Sequence, residues 1–344
     1  MTLPAAAAQA IPKGAQKLGF DQLYAPIAPA METLSRLLES QKDDFEPEIR
    51  ELVTYTLANS GKRLRPILLF YTGMSHEGQI SGELVKAAAV VEMVHVATLV
   101  HDDVLDSAEL RHRKATVAQK NGNAVAVLLG DTLFAHALKL ASEFSSVAVC
   151  RLVASATQQV CSGEISQTLQ RGNPEISRAG YYRIIELKTA ELFRAACALG
   201  AELGGYGDLD VRAASDFGKH LGVAYQIFDD FADLFGQESK IGKTLGTDLS
   251  SGKVTLPMIL LKEQLSDERF VSLFNNARRG VDSAQSEFLD ALRCDAVMTG
   301  VIEEFEAHIL SAKIALNRYD GRYASDYLNL ICDLVTTQVQ SMVE

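Results

Sequence analysis

Proline all but vanishes from this sequence after Pro66: of eight in 344 residues, only Pro174 and Pro257 lie beyond it. Long stretches are therefore free of the strongest helix breaker, and nothing in them forces a helix to stop. Cysteine is equally uninformative as a framework. Cys150, Cys161, Cys197, Cys294 and Cys332 are scattered, with no CxxC pair and no spacing typical of zinc ligands. They read as small apolar residues in a reduced, cytoplasmic core. No run approaches the ~20 uninterrupted apolar residues of a membrane span, which predicts a soluble chain without a transmembrane segment. Net positive charge is missing as well. The formal charge of −11 argues against generic nucleic-acid binding, and a polyanionic ligand would need locally gathered cations or metal ions. The segment Met1 to Gly14 is Ala/Pro-rich and lacks a basic start followed by an apolar run, so residues 1–14 read as a disordered lead rather than a signal peptide.

What remains is rich in Ala, Leu, Glu, Lys and Gln, with apolar residues at three- and four-residue spacing. Leu84 to Asp106, Val125 to Phe144, Tyr181 to Leu203 and Ala213 to Phe235 each read as a helix of several turns. Ala87-Ala88-Ala89-Val90-Val91 and Ala195-Ala196-Cys197-Ala198-Leu199 are apolar nearly all round, which places their helices inside a bundle. Breaks fall at Asn121-Gly122-Asn123, Gly172-Asn173-Pro174 and Gly204 to Gly207. No linker, repeat or charge block divides the chain. The expectation is an all-α fold of ten or more helices forming one domain over residues 15–344.

The chemistry is concentrated in a doubled motif. DDxxD occurs as Asp102-Asp103-Val104-Leu105-Asp106 and again as Asp229-Asp230-Phe231-Ala232-Asp233. On a helix, the first and last Asp of each motif lie about 40° apart and repel one another unless a counter-charge intervenes. Hard carboxylate oxygens favour Mg²⁺ for that role. A chance copy arises in about one window in ten thousand, so two copies carry far more weight than one. Each adjoins apolar sequence, which a solvated acidic face would not. His95, Leu99, Asp102 and Asp106 share one helical stripe, and Gly222, Gln226, Asp229 and Asp233 share another.

Cations accompany both motifs. Gly61-Lys62-Arg63-Leu64-Arg65-Pro66 gathers three, with Lys62 and Arg65 on one side if the segment winds helically. Arg111-His112-Arg113-Lys114 follows the first motif, and a glycine-spaced loop from Gly242 to Lys253, with Lys243 and Lys253, follows the second. Lys188-Thr189 interrupts an apolar helix. Arginine forks and lysine charges beside metal-binding acids suit a diphosphate. The loop does not fit the P-loop pattern.

Taken in order, GKRLRP, HDDVLD with Arg111, Gly122-Asn123, Gly130-Asp131, GEISQ (Gly163 to Gln167), Lys188-Thr189, YQIFDDFAD (Tyr225 to Asp233) and GKTLGTDLSSGK resemble the trans-type polyprenyl diphosphate synthases. The resemblance runs from about Gly61 to Pro257 and weakens beyond. It implies the isoprenoid-synthase bundle with a central apolar cavity, and head-to-tail condensation of isopentenyl diphosphate with an allylic diphosphate. It further implies that Asp102, Asp106 and Asp229 bind Mg²⁺, supported by Asp103, Asp230 and Asp233. Arg111, Lys188, Thr189, Gln226, Lys243 and Lys253 match positions that hold the allylic diphosphate. Lys62, Arg65 and His95 match the isopentenyl diphosphate site. One departure concerns the two consecutive arginines usual after the first motif: here His112 stands second, so either His112 or Arg113 takes that place.

The same resemblance assigns product length to bulk just before the first motif. Ala97, Thr98 and Val94 offer no aromatic plug, which implies a long all-trans product of the octaprenyl or solanesyl type, beyond C20. A short-chain synthase of C15–C20 type, or a non-catalytic subunit of a heteromeric synthase, are the alternatives within the family; a class I terpene cyclase is the rival outside it. Two intact DDxxD motifs speak against both the subunit and the cyclase. Family members are usually homodimers, and that expectation carries over.

Overall fold

The structure is a computed structural model that describes residues 19–58, 61–236, 246–319 and 324–343. They fall into two compact units, each assembled from three separate stretches. The first comprises the described residues within Met1–Gln158, Leu192–Lys219 and Ala312–Leu334; the second comprises those within Gln159–Glu191, His220–Ser311 and Val335–Glu344. The boundaries fall inside helices rather than at linkers, so the sequence shows no seam.

The first unit opens with α1 (Phe20–Tyr24), α2 (Ala28–Ser40), α3 (Arg50–Ala58) and α4 (Leu64–Gly73), which lead to α5 (Gly82–Leu105). Ser81 starts α5 by accepting a hydrogen bond from the Leu84 amide at 3.3 Å, as an N-cap serine should. Its apolar residues from Val85 to Val100 are buried on nearly every side, matching the expectation from the alanine and valine runs. The helix stops where Ser107 turns left-handed, with φ 52.

A hairpin follows that the all-α expectation omitted. Strands β1 (Leu110–Arg111) and β2 (Lys114–Ala115) pair antiparallel, Leu110 with Ala115 and Arg111 with Lys114. His112 and Arg113 form the two-residue loop at φ 49 and 63. Two left-handed residues in a row are what a tight hairpin turn needs, and asparagine or glycine normally supplies them. This missing signal kept the hairpin hidden in the sequence.

Beyond it, α6 (Val117–Asn121) and α7 (Asn123–Ser142) return along α5. Gly130 on α7 makes room for the His101 ring of α5: a Cβ there would fall 2.2 Å from its Nε2. The His101 ring donates to the Val127 carbonyl at 3.0 Å and stands 3.4 Å from the Asp131 carboxylate. By length and composition α5 and α7 could each cross a membrane, which differs from the sequence expectation; the apolar window of α5 is nevertheless mostly buried against protein. Helix α8 (Val147–Leu169) begins in this unit, α10 (Glu191–Leu203) belongs to it from Leu192 onward, and α11 (Asp208–Phe235) begins in it.

The second unit holds the rest of α8 and α11, with α9 (Arg178–Ile185) between them. A π-helical turn, Glu186–Ala190, separates α9 from α10. The sequence reads this region as one unbroken helix, because a single extra residue in a turn leaves the apolar spacing almost intact. Then come α12 (Thr247–Ser251), α13 (Leu256–Gln264), α14 (Asp267–Arg278), α15 (Asp282–Leu292), α16 (Asp295–Ala315) and α17 (Ser325–Val343), the last two shared with the first unit. Phe270 and Phe274 stack at 6.0 Å, and Phe288 closes the cluster at 6.3 and 6.2 Å.

Gly130→Ala should push the His101 ring off its bond to the Val127 carbonyl and cost about 1 kcal/mol. The measurement is the denaturant midpoint, and adding His101→Ala should recover much of the loss, because the two changes meet at one contact.

Candidate active site

In the first unit, the last turn of α5 divides the acids of the first motif by environment. Asp102 is half-exposed and Asp106 exposed, whereas Asp103 is buried. Arg111, on the hairpin, donates its Nε to Asp103 Oδ1 at 2.8 Å. Burial raises the Asp103 carboxyl above its ordinary range; the Arg111 charge and hydrogen bond oppose this, and Asp102 and Asp106 add to it. The hairpin is braced from beneath. Thr116 donates to the Ala108 carbonyl at 2.7 Å and Tyr55 to the Ala115 carbonyl at 2.5 Å.

A cationic group shares this end of the unit. His95, half-buried about two turns before Asp102, is held well below 6.5 by burial and then by the charges of Arg65, Arg111 and His112. It is therefore a neutral donor-acceptor at neutral pH. Loss of hydration also pulls Lys62 downward, and it lowers His112 together with the charges of Arg111 and Lys114. The Arg65 guanidinium lies 4.7 Å from the Phe193 ring centroid. Both left-handed residues of the turn are exposed, and the His112 ring reaches to 3.2 Å from the point a Gly61 Cβ would occupy. On α5, Ala97 and Val94 are wholly buried. Thr98 donates to the His95 carbonyl at 2.6 Å.

The second unit repeats the division. Asp229 is half-exposed, and Asp230 and Asp233 are buried. Asp230 accepts from the Tyr181 hydroxyl at 2.6 Å and from Gln226 Nε2 at 2.7 Å. Burial, with the Asp248 and Asp229 charges adding and those two hydrogen bonds opposing, pushes the Asp230 carboxyl up to about 8. Asp233 accepts from the Thr247 hydroxyl at 3.1 Å and the Asp248 amide at 3.0 Å. Residues 246–253 thus close on the second motif, with Lys253 Nζ 3.5 Å from Asp248 Oδ1. Lys243 lies outside the described residues. The π-turn presents Lys188 and Thr189, and the Thr189 hydroxyl donates to Gln226 Oε1 at 2.6 Å.

Among the described residues, no three carboxylate, imidazole or thiolate side chains converge to hold a metal ion by themselves. Mg²⁺ takes one or two protein carboxylates and completes its shell with water and substrate phosphate. The accessible acids Asp102, Asp106 and Asp229 are donors of the right chemistry for it.

Comparison with known proteins then decides the family. The sequence pattern described as Polyprenyl synthetase matches residues 46–289, most of the chain. The chain belongs to the polyprenyl synthetase family. It is 34% identical over 244 residues to an octaprenyl diphosphate synthase from Haemophilus influenzae, covering 70% of this chain and 73% of that protein. It is 33% identical over 257 residues to heptaprenyl diphosphate synthase component 2 from Bacillus subtilis, covering 75% and 74%. Among solved structures, a polyprenyl synthase from Caulobacter crescentus complexed with calcium and isoprenyl diphosphate matches with a TM-score of 0.85 at 29% identity, covering 94% of this chain and 99% of that one. A decaprenyl diphosphate synthase from Rhodobacter capsulatus matches with the same TM-score and identity over 95% and 100%.

Three residues near the predicted site residues were not singled out from the sequence. Tyr181 gave no signal, since a tyrosine beside another tyrosine in a helix has no motif. Asp248 sat within the glycine-spaced loop but drew less notice than its lysines. Glu92 could have been found: it is a lone acid in an apolar helix, three residues before His95. It is 1% exposed, and burial raises its carboxyl against the opposing charges of Arg65 and Arg63.

In metal-free protein, Asp230 keeps its proton in the folded state to about pH 8 but loses it near 3.8 when unfolded. The folded state then binds more protons, so stability should fall as pH rises through that window. Asp230→Asn should flatten the slope, measured as melting temperature between pH 5 and 9 in chelator.

Proposed function

We propose that this chain is a Mg²⁺-dependent polyprenyl diphosphate synthase that makes a long all-trans product. One observation carries the reading: in each DDxxD motif at least one acid reaches solvent where a cation could meet it, Asp102 and Asp229 half-exposed and Asp106 exposed. When bound, Mg²⁺ supplies the positive charge that allows a diphosphate to leave. Lys188, Thr189, Gln226, Arg111 and Lys253 orient the allylic diphosphate, with Lys243 in the same role by family resemblance. Lys62, Arg65, His95 and His112 hold isopentenyl diphosphate, the neutral His95 serving as a hydrogen-bond partner and the arginine as a fork.

The carbon–oxygen bond to pyrophosphate breaks, and the double bond of isopentenyl diphosphate attacks the allylic cation. A new carbon–carbon bond forms, and the departing pyrophosphate takes the proton lost from the isopentenyl unit. The chain contributes position and fixed charge, the terms expected to dominate when no side chain acts as nucleophile. The apolar shell around α5 excludes water that would quench the cation. Ala97 and Val94 add no bulk near the first motif, and the octaprenyl and heptaprenyl relatives support a long product.

The enzyme acts as a homodimer in the cytoplasm. Val125, Val127 and Leu128 are exposed on α7, Leu128 at 65%, and an uncovered apolar face of this kind suits a second copy. The five free cysteines suit a reducing compartment.

Incubating the protein with an allylic diphosphate, isopentenyl diphosphate and Mg²⁺ should give a dephosphorylated product longer than C20 on chromatography. No product should form without the isopentenyl substrate or in chelator. Product from the allylic substrate alone would indicate a cyclase instead. Asp102→Ala or Asp229→Ala should each lower kcat by about 100-fold or more. Ala97→Phe should shorten the product, and an unchanged length would remove Ala97 from the cavity floor.

A further inference from the structure

The segment Gly163 to Gln167 of α8 takes no part in the chemistry above, yet it meets Lys188 at three points. Glu164 Oε2 lies 2.5 Å from Lys188 Nζ, and Gln167 Oε1 accepts from the same nitrogen at 2.8 Å. Glu164 and Gln167 stand three residues apart and so share one face of α8. Gly163 brings that face within reach: a Cβ on it would fall 2.5 Å from the Lys188 amide nitrogen and 2.8 Å from Leu187 Cβ. Lys188 and Glu164 side chains are only 17% and 15% exposed.

The backbone on the other side of this contact is unusual. Lys188 sits in the π-turn Glu186–Ala190, where the extra residue shifts Lys188 and Thr189 out of the register an α-helix would give them. Thr189 is tied through Gln226 to Asp230 of the second motif. The turn therefore has two anchors, the pair of acceptors on α8 for Lys188 and the amide of Gln226 for Thr189. A lysine on a flexible four-carbon stem is a poor fixed charge unless something holds it, and a carboxylate at this distance forms a strong, charge-assisted bond.

We propose that Glu164 is a positioning residue which, with Gln167, brackets the Lys188 ammonium and fixes its place before the allylic diphosphate binds. This rests on the reading of Lys188 as a diphosphate ligand. The bracket removes the need to order the lysine during binding, which is the advantage of a preorganised site.

The test uses the full chain carrying Glu164→Leu, Glu164→Gln, Lys188→Ala or the Glu164→Leu/Lys188→Ala pair. Glu164→Leu keeps volume without an acceptor, and Glu164→Gln keeps an acceptor without the charge. Steady-state kinetics are measured for each substrate, together with affinity for inorganic pyrophosphate in Mg²⁺ and the melting temperature. Glu164→Leu should lower kcat/KM for the allylic substrate about 10- to 100-fold and weaken pyrophosphate by about 10-fold, a misplacement effect. KM for isopentenyl diphosphate should not move. Glu164→Gln should recover most of the loss, and the double variant should be no worse than Lys188→Ala alone, since the two act as one unit. Wild-type kinetics in Glu164→Leu, additive losses in the double variant, or equal losses in Leu and Gln variants with a falling melting temperature would each overturn the proposal. If the wild-type protein makes no product at all, the functional reading fails instead; an active wild type with an impaired Lys188→Ala isolates the fault to Glu164.

Discussion

A carboxyl group is tolerated inside a helical bundle only if protein groups take the place of its water. Three of the six motif acids meet that condition and three do not need to. Asp103 has Arg111; Asp230 has Tyr181 and Gln226; Asp233 has Thr247 and the Asp248 amide. Each buried acid fixes the end of its helix against a different element, the hairpin in one case and α9 or residues 247–248 in the others. The accessible acids Asp102 and Asp229 are thereby held by neighbours that cannot rotate away. The paired aspartates at the head of each DDxxD so differ in setting: the second is buried and the first half-exposed.

Local strain gathers at the same places. His112 and Arg113 adopt a left-handed backbone that side chains avoid, and the π-turn departs from α-helical register at Lys188. Both would be costs without benefit in a purely structural element. Both instead present a cationic or hydrogen-bonding side chain that regular backbone would aim elsewhere, which is where proteins tolerate such conformations.

The helical architecture and both acid motifs were legible in the sequence, for physical reasons. Apolar spacing along α5, α7 and α11 has the helical period, and an acid pair flanked by apolar residues is conspicuous. Helix starts were less so: α5, α7 and α11 begin earlier than the apolar pattern, because their first turns are set by Ser81, Gly122 and Asp208 rather than by hydrophobic residues. The hairpin was hidden because His112-Arg113 is not a recognised turn pair, and the π-turn because one added residue barely disturbs periodicity. Tyr181 and Glu164 show a further limit. Their importance lies in which atom they touch across forty-nine and twenty-four residues of chain, and no local pattern records that.

The division into two units, each drawn from three stretches, bears on how the protein is made. The first unit needs Ala312–Leu334 as well as the residues that begin the chain. A nascent polypeptide therefore carries an incomplete first unit until Ala312–Leu334 has been made. Contacts so distant in sequence form slowly, and exposed greasy helices aggregate while they wait. Synthesis on the ribosome should thus be the vulnerable period in this molecule's life, and its yield in a cell should depend on chaperones that shelter the first unit until Ala312–Leu334 has joined it.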